Sequence, residues 1–301
     1  MIGNAVRRCP DGAARPPTTL GLRRTLETVK VSAAMSNPNP IGVFDSGIGG
    51  LTVVKALRDR LPNETIVYLG DTARVPYGPK SPETVQRYAL ELAQMLMQKN
   101  AKALVVACNT VSSVALPLLT RKFSVPVVGV IEPGARAALE ATRNQHVGVI
   151  GTRATIRSGA YEKALRASDN NVRVSSRACP LLVPLIEEGL LDDDVTDRVI
   201  LRYLEPLLAD GIDTLVLGCT HYPLLSAAIA RVLGREIMLV DSAKNCATAV
   251  QETLDRQSLR SPATKCGELR VALTDSADNF LNVARDALQL NFGEIELQPL
   301  P

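Results

Sequence analysis

Leu104-Val105-Val106-Ala107-Cys108-Asn109-Thr110 and Leu215-Val216-Leu217-Gly218-Cys219-Thr220-His221 share one pattern: four small or apolar residues, a cysteine, then two polar residues. A short apolar run closed by polar residues reads as a buried strand ending at a turn. A second echo precedes each copy. Gly42-Val43-Phe44-Asp45-Ser46 leading to Lys55-Ala56-Leu57 resembles Gly148-Val149-Ile150-Gly151-Thr152 leading to Lys163-Ala164-Leu165, at nearly the same distance from the cysteine segment. The sequence therefore predicts two similar halves facing each other.

Outward from these segments, short β-branched runs alternate with helical patterns. IGVF, TIVYL, ALVVA, PVVGV, HVGVI, NVRVS, DTLVL, EIMLV and ELRVALT read as strands. The clearest helix opens with Ser81 as N-cap and Pro82 at the first helical position, then carries Leu90, Leu92, Met95 and Leu96. Such alternation predicts α/β architecture: two pseudo-symmetric doubly wound domains with parallel sheets and an active site in the cleft between them. The expected division is discontinuous, with residues 41–131 plus 241–301 in the first domain and 132–240 in the second. Residues 1–40, rich in Arg, Pro and Ala without a periodic apolar face, read as a disordered basic extension. That stretch is either a targeting segment or a region upstream of a start at Met35.

Composition narrows the function. The formal charge of +3 sits in the extension, where six basic residues face only Asp11 and Glu27, so the body sums to −1. With no Trp and few aromatics, neither a basic groove nor a base-stacking platform is indicated, and no direct nucleic-acid contact is expected. The longest apolar runs fall far short of the roughly 20 residues that a bilayer span needs, so no membrane partner is expected. Six cysteines without a CxxC pair or a secretory apolar region fit a reduced, cytoplasmic setting.

Each of the paired cysteines stands at the carboxyl end of an apolar strand and before a segment that reads as a helix. Parallel sheets place ligand crevices there. A helix N-terminus favours a thiolate, so both thiols are expected below the free value of roughly 8.5. Asn109, Thr110 and Thr220 can cap the helices or bind a carboxylate. If the halves close on one cleft, one sulfur lies on each side of whatever occupies it. Inversion of a carbon needs this arrangement, with one thiolate removing a proton as the opposite thiol delivers one. Cys9, Cys179, Cys246 and Cys266 read as small apolar fillers.

IGVFDSGIGGLTV (41–53), YLGDTARVPYG (68–78), VVACNTVSS (105–113) and LGCTHYPLL (217–225) resemble the four signature segments of the glutamate racemases, within the aspartate/glutamate racemase superfamily. The likeness runs from about Ile41 to about Phe292. It implies interconversion of L- and D-glutamate without cofactor or metal, supplying D-glutamate for peptidoglycan. It also implies that Cys108 and Cys219 are the two acid/base catalysts, assisted by Asp45 and His221. By the same resemblance substrate is bound by Asp45, Ser46, the turn Pro76-Tyr77-Gly78, Asn109, Thr110, Thr152, Thr220 and His221. Asp71 and Glu187 match two supporting acids, with Glu188 as an alternative register for the latter. A homodimer is a further implication, and some members bind DNA gyrase, which no residue here foretells.

Three other readings compete. A cysteine hydrolase would use Cys108 as nucleophile and His221 as base but leaves Cys219 without a role. A non-catalytic binding module would not exchange the α-proton of glutamate. Zinc on Cys219 and His221 lacks the spaced partner ligands that such a site needs. The turn Gly47-Ile48-Gly49-Gly50 invites a dinucleotide reading, but Thr52 stands where a third glycine belongs. These glycines read instead as room for a small anion and for close helix packing.

Overall fold

The computed structural model describes residues 36–234, 236–276, 278–290 and 293–300. In chain order the elements are β1 (Ile41–Asp45), α1 (Leu51–Arg60), β2 (Ile66–Gly70), α2 (Pro82–Gln98), β3 (Ala103–Val106), α3 (Asn109–Lys122), β4 (Val127–Gly129) and α4 (Ile131–Ala141). There follow β5 (His146–Gly151), α5 (Arg153–Ser158), α6 (Ala160–Ser168), β6 (Arg173–Ala178), α7 (Leu182–Glu187), α8 (Asp194–Ala209), β7 (Thr214–Gly218) and α9 (Ser226–Leu233). The chain ends with β8 (Met238–Asp241), α10 (Ser242–Arg256), β9 (Leu269–Leu273), α11 (Asp278–Leu288) and β10 (Ile295–Leu297). All nine strands read from the sequence are present.

Two parallel sheets form. One has the order β10-β9-β2-β1-β3-β4, the other β6-β5-β7-β8. The run β2-β1-β3-β4 and the run β6-β5-β7-β8 are the same topology, and the register agrees: Gly42 pairs with Leu104 as Gly148 pairs with Leu215. The repeat seen in the sequence is thus a repeat of the fold, and the two lobes are pseudo-symmetric. Its glycines have a steric reason. A Cβ on Gly42 would stand 3.0 Å from the Ala101 Cβ, and one on Gly148 would stand 2.6 Å from the Ile212 Cδ1.

β1, β2, β3, β5 and β7 are buried along their whole length, as expected of strands covered on both faces. α2 and α3 pack together over one face of the larger sheet, while α1 packs on α10, α10 on α4 and α4 on α6. That second row of helices runs from one lobe to the other, and the apolar core beneath it is continuous between them. Ser81 caps α2 as expected, accepting from the Thr84 N–H at 3.3 Å.

Three expectations need qualification. Residues 1–35 of the basic extension, Cys9 and Met35 among them, lie outside the described residues. At residue 37 the chain is already tied down, because the Asn37 carbonyl accepts from the Lys102 Nζ at 2.7 Å. Cys179 and Cys246 are buried thiols as read, but Cys266 is exposed, so it is no core filler. Among the described residues no helix is long and apolar enough to cross a membrane.

Candidate active site

The site gathers where β1, β3, β5 and β7 end. The register sets β1 beside β3, so Asp45 and Ser46 emerge next to Cys108. In the other lobe β5 lies beside β7 and brings Thr152 next to Cys219. Both sulfurs line one cavity of about 250 Å³. With them stand Ser46, Pro76, Tyr77, Gly78, Asn109, Thr110, Thr152, Glu187, Thr220 and His221, which the sequence singled out. Val75, Pro79, Arg153, Pro180, Val183 and Pro184 complete the wall and were not anticipated.

Hydrogen bonds fasten the lobes to each other around this space. The Thr110 and Thr152 hydroxyls meet at 2.9 Å, and the Thr52 hydroxyl donates to the Thr220 carbonyl at 3.0 Å. The Tyr161 hydroxyl donates to Asn109 Oδ1 at 2.7 Å. Gly78 lies so close to Thr152 that a Cβ there would stand 3.2 Å from the Thr152 Cβ.

Two acids stand behind the wall. Asp45 is fully buried, accepts from the Gly47 N–H at 3.1 Å, and takes a long hydrogen bond of 3.5 Å from the Thr220 hydroxyl. Asp71 is also fully buried. It accepts from Arg74 Nε at 2.6 Å, from the Thr274 hydroxyl at 2.9 Å, and from the Tyr77 hydroxyl. Its place is therefore to hold the turn at Tyr77. Glu187 is the acid that meets His221, with Oε1 3.1 Å from Nε2. That contact favours Glu187 over Glu188 as the supporting acid.

The Asp/Glu/hydantoin racemase family profile matches residues 51–250. Glutamate racemase of Geobacter metallireducens is 51% identical over 255 residues, spanning 85% of this chain and 94% of that protein. The chain belongs to the Asp/Glu/hydantoin racemase family. Among solved structures, glutamate racemase isoform RacE1 from Bacillus anthracis superposes with a TM-score of 0.84 at 41% identity, covering 87% of this chain and 98% of that one. The Francisella tularensis glutamate racemase in complex with D-glutamate gives 0.80 at 38% identity, covering 87% and 97%. The hydrolase and binding-module readings are not favoured.

As expected of an amino-acid racemase, the two sulfurs occupy matched strand ends, yet they have different neighbours. Cys108 lies 3.4 Å from the Ser46 hydroxyl. Burial, reinforced by the Asp45 carboxylate, pushes its thiol up to about 12. This corrects the expectation of a depressed value: a helix N-terminus offers at most a fraction of a charge, and desolvation of a buried thiolate outweighs it. Cys219 lies 3.8 Å from His221 Nδ1. Burial opposes a charge on that imidazole, yet hydrogen bonds to Cys219 and Glu187 raise it to about 10, so His221 is held as a cation. The helix expected directly after Cys219 starts only at Ser226. A 3-10 turn, Tyr222–Leu225, intervenes before α9. Burial raises the Asp45 carboxyl while the His221 charge and backbone N–H groups lower it, with a net rise.

Asn109 carries one more feature. Its Nδ2 is buried without a partner. An unpaired buried donor costs about 1–3 kcal/mol, more than the roughly 0–1 kcal/mol that a surface ion pair returns. A ligand oxygen in the cavity would offset that cost.

Proposed function

We propose that this racemase interconverts L- and D-glutamate without a cofactor, by proton transfer at the α-carbon between Cys108 and Cys219. The observation that carries the reading is that sulfurs from matched strand ends of two lobes line one small cavity. In one direction Cys219, backed by His221 and Glu187, takes the α-proton from one face while the Cys108 thiol gives its proton to the other. In the reverse direction the thiolate left on Cys108 is the base. Asn109, Thr110, Thr152 and Thr220 supply donors for the α-carboxylate. Ser46 faces the ammonium side with Asp45 buried behind it, and the turn Pro76-Tyr77-Gly78, buttressed by Asp71, closes the far end. Exclusion of water by the bound substrate would strengthen these placed dipoles where negative charge develops on the carbanion.

The test is circular dichroism started from either pure enantiomer in deuterated water. Both runs should converge on zero signal, with deuterium at the α-carbon of the product. Faster turnover of aspartate, or racemisation without isotope uptake, would sink the proposal.

The same reading assigns the enzyme to supply of D-glutamate for the cell wall, tested by D-glutamate auxotrophy on deletion. It also divides the chain into 41–131 plus 241–301 and 132–240, a division supported by the composition of the two sheets. A cytoplasmic location and a homodimer complete it, the latter open to sedimentation analysis.

A further inference from the structure

Asn109 and Tyr161 come from different lobes. Asn109 opens α3, and Tyr161 sits in the first turn of α6. A side-chain amide has an acceptor oxygen and a donor nitrogen, and a phenol that donates can be satisfied only by the oxygen. The 2.7 Å contact from the Tyr161 hydroxyl to Asn109 Oδ1 therefore decides which way the amide faces. The nitrogen left over is the buried, partnerless donor, on a side chain that lines the cavity.

Tyr161 is itself held in place. A Cβ on Gly218 of β7 would stand 3.1 Å from its ring, and one on Gly134 of α4 would stand 3.4 Å from its hydroxyl. Burial raises the phenol above its ordinary range, so it stays protonated and keeps donating. With that donor removed, the amide could turn over and offer its oxygen to an anion, which repels.

We propose that Tyr161 is a positioning residue for substrate binding: by gripping the Asn109 carbonyl oxygen across the cleft, it presents Asn109 Nδ2 to a carboxylate of the substrate. This rests on the reading of Asn109 as a binding group. Tyr161 does not touch the reacting carbon, so its removal acts on binding. Racemisation has an equilibrium constant of one, so kcat/KM must fall equally in both directions.

The experiment is steady-state kinetics of Tyr161→Phe, Asn109→Ala, the double variant and Asn109→Asp, each checked for folding by far-ultraviolet circular dichroism. Tyr161→Phe should raise KM for both enantiomers about tenfold, the worth of one hydrogen bond, with kcat within about threefold and the pH profile unmoved. In the Asn109→Ala background it should raise KM no further, because coupled residues are not additive. Asn109→Asp keeps Tyr161 and its partner oxygen but presents an acceptor, so KM should rise at least as far as in Asn109→Ala. If Asn109→Ala leaves KM unchanged, the binding role of Asn109 falls. If Asn109→Ala raises KM but Tyr161→Phe does not, or if the two effects multiply in the double variant, the role of Tyr161 alone is overturned. Glutamate binding by Asn109→Asp as tight as in the parent would overturn it too, even if Tyr161→Phe failed to fold.

Discussion

The two lobes carry the same strand order and place a sulfur at the same backbone position, yet they surround it with opposite charge. Cys108 has the buried Asp45 carboxylate and the Ser46 hydroxyl for company and is held as a thiol. Cys219 faces the His221 cation, itself held by Glu187. The repeated fold therefore sets where the two groups stand, and the unrepeated neighbours set the charge that each of them faces. A perfectly symmetric pair would begin with both sulfurs alike, and a proton has to leave one side and arrive from the other.

The harshest way to break this comparison is to delete one sulfur at a time. Cys108→Ala and Cys219→Ala should each lower racemisation by a factor of 10² to 10⁴ or more, the usual worth of a positioned acid or base, with the fold intact by circular dichroism. With a glutamate analogue whose β-substituent can leave, each variant should still eliminate from one enantiomer, and from opposite ones. Racemisation at parental rates by either variant would end the two-base reading.

A finer cut removes the charge difference and leaves the sulfurs. Glu187→Gln takes away one group that keeps His221 protonated, so the alkaline limb of the kcat profile should move to lower pH, with kcat changing by a different factor for L than for D. The sign for stability follows from linkage. A cation whose value is raised in the folded state stabilises fully below pH 6.5, its ordinary value, and loses that contribution as pH rises through about 10. The unfolding free-energy gap between the parent and His221→Gln should therefore narrow from pH 6.5 to 10. A constant gap would mean that no cation is held there.

The smallest expected effects test the scaffold. Gly42→Ala meets the Ala101 and Leu96 Cβ atoms, which cannot swing away, and should cost about 1–3 kcal/mol in urea unfolding, as overpacking does. Its counterpart Gly148→Ala meets the flexible end of Ile212 and should cost less. A reversed order would show that the lobes absorb strain differently from what their packing implies.

Much of this was legible in the sequence, because fully buried parallel strands print continuous apolar runs and a duplicated fold prints them twice. β10 was missed: three residues on a sheet edge, half exposed, carry too little pattern. Pro223 and the leucines after Cys219 fit a helix start as well as the 3-10 turn that forms. The Cys108 thiol was misjudged because position before a helix is visible in a sequence while depth of burial is not. Pro180, Val183 and Pro184 escaped notice since an apolar wall has no chemical signature. The partnership of Tyr161 with Asn109 joins residues 52 positions apart, and no local spacing announces it.

The clasps between the lobes, Thr110 to Thr152, Thr52 to Thr220 and Asn109 to Tyr161, have a kinetic corollary. If the halves must part to admit glutamate, these bonds break and re-form in every round of chemistry. Turnover limited by that parting would then slow as solvent viscosity rises.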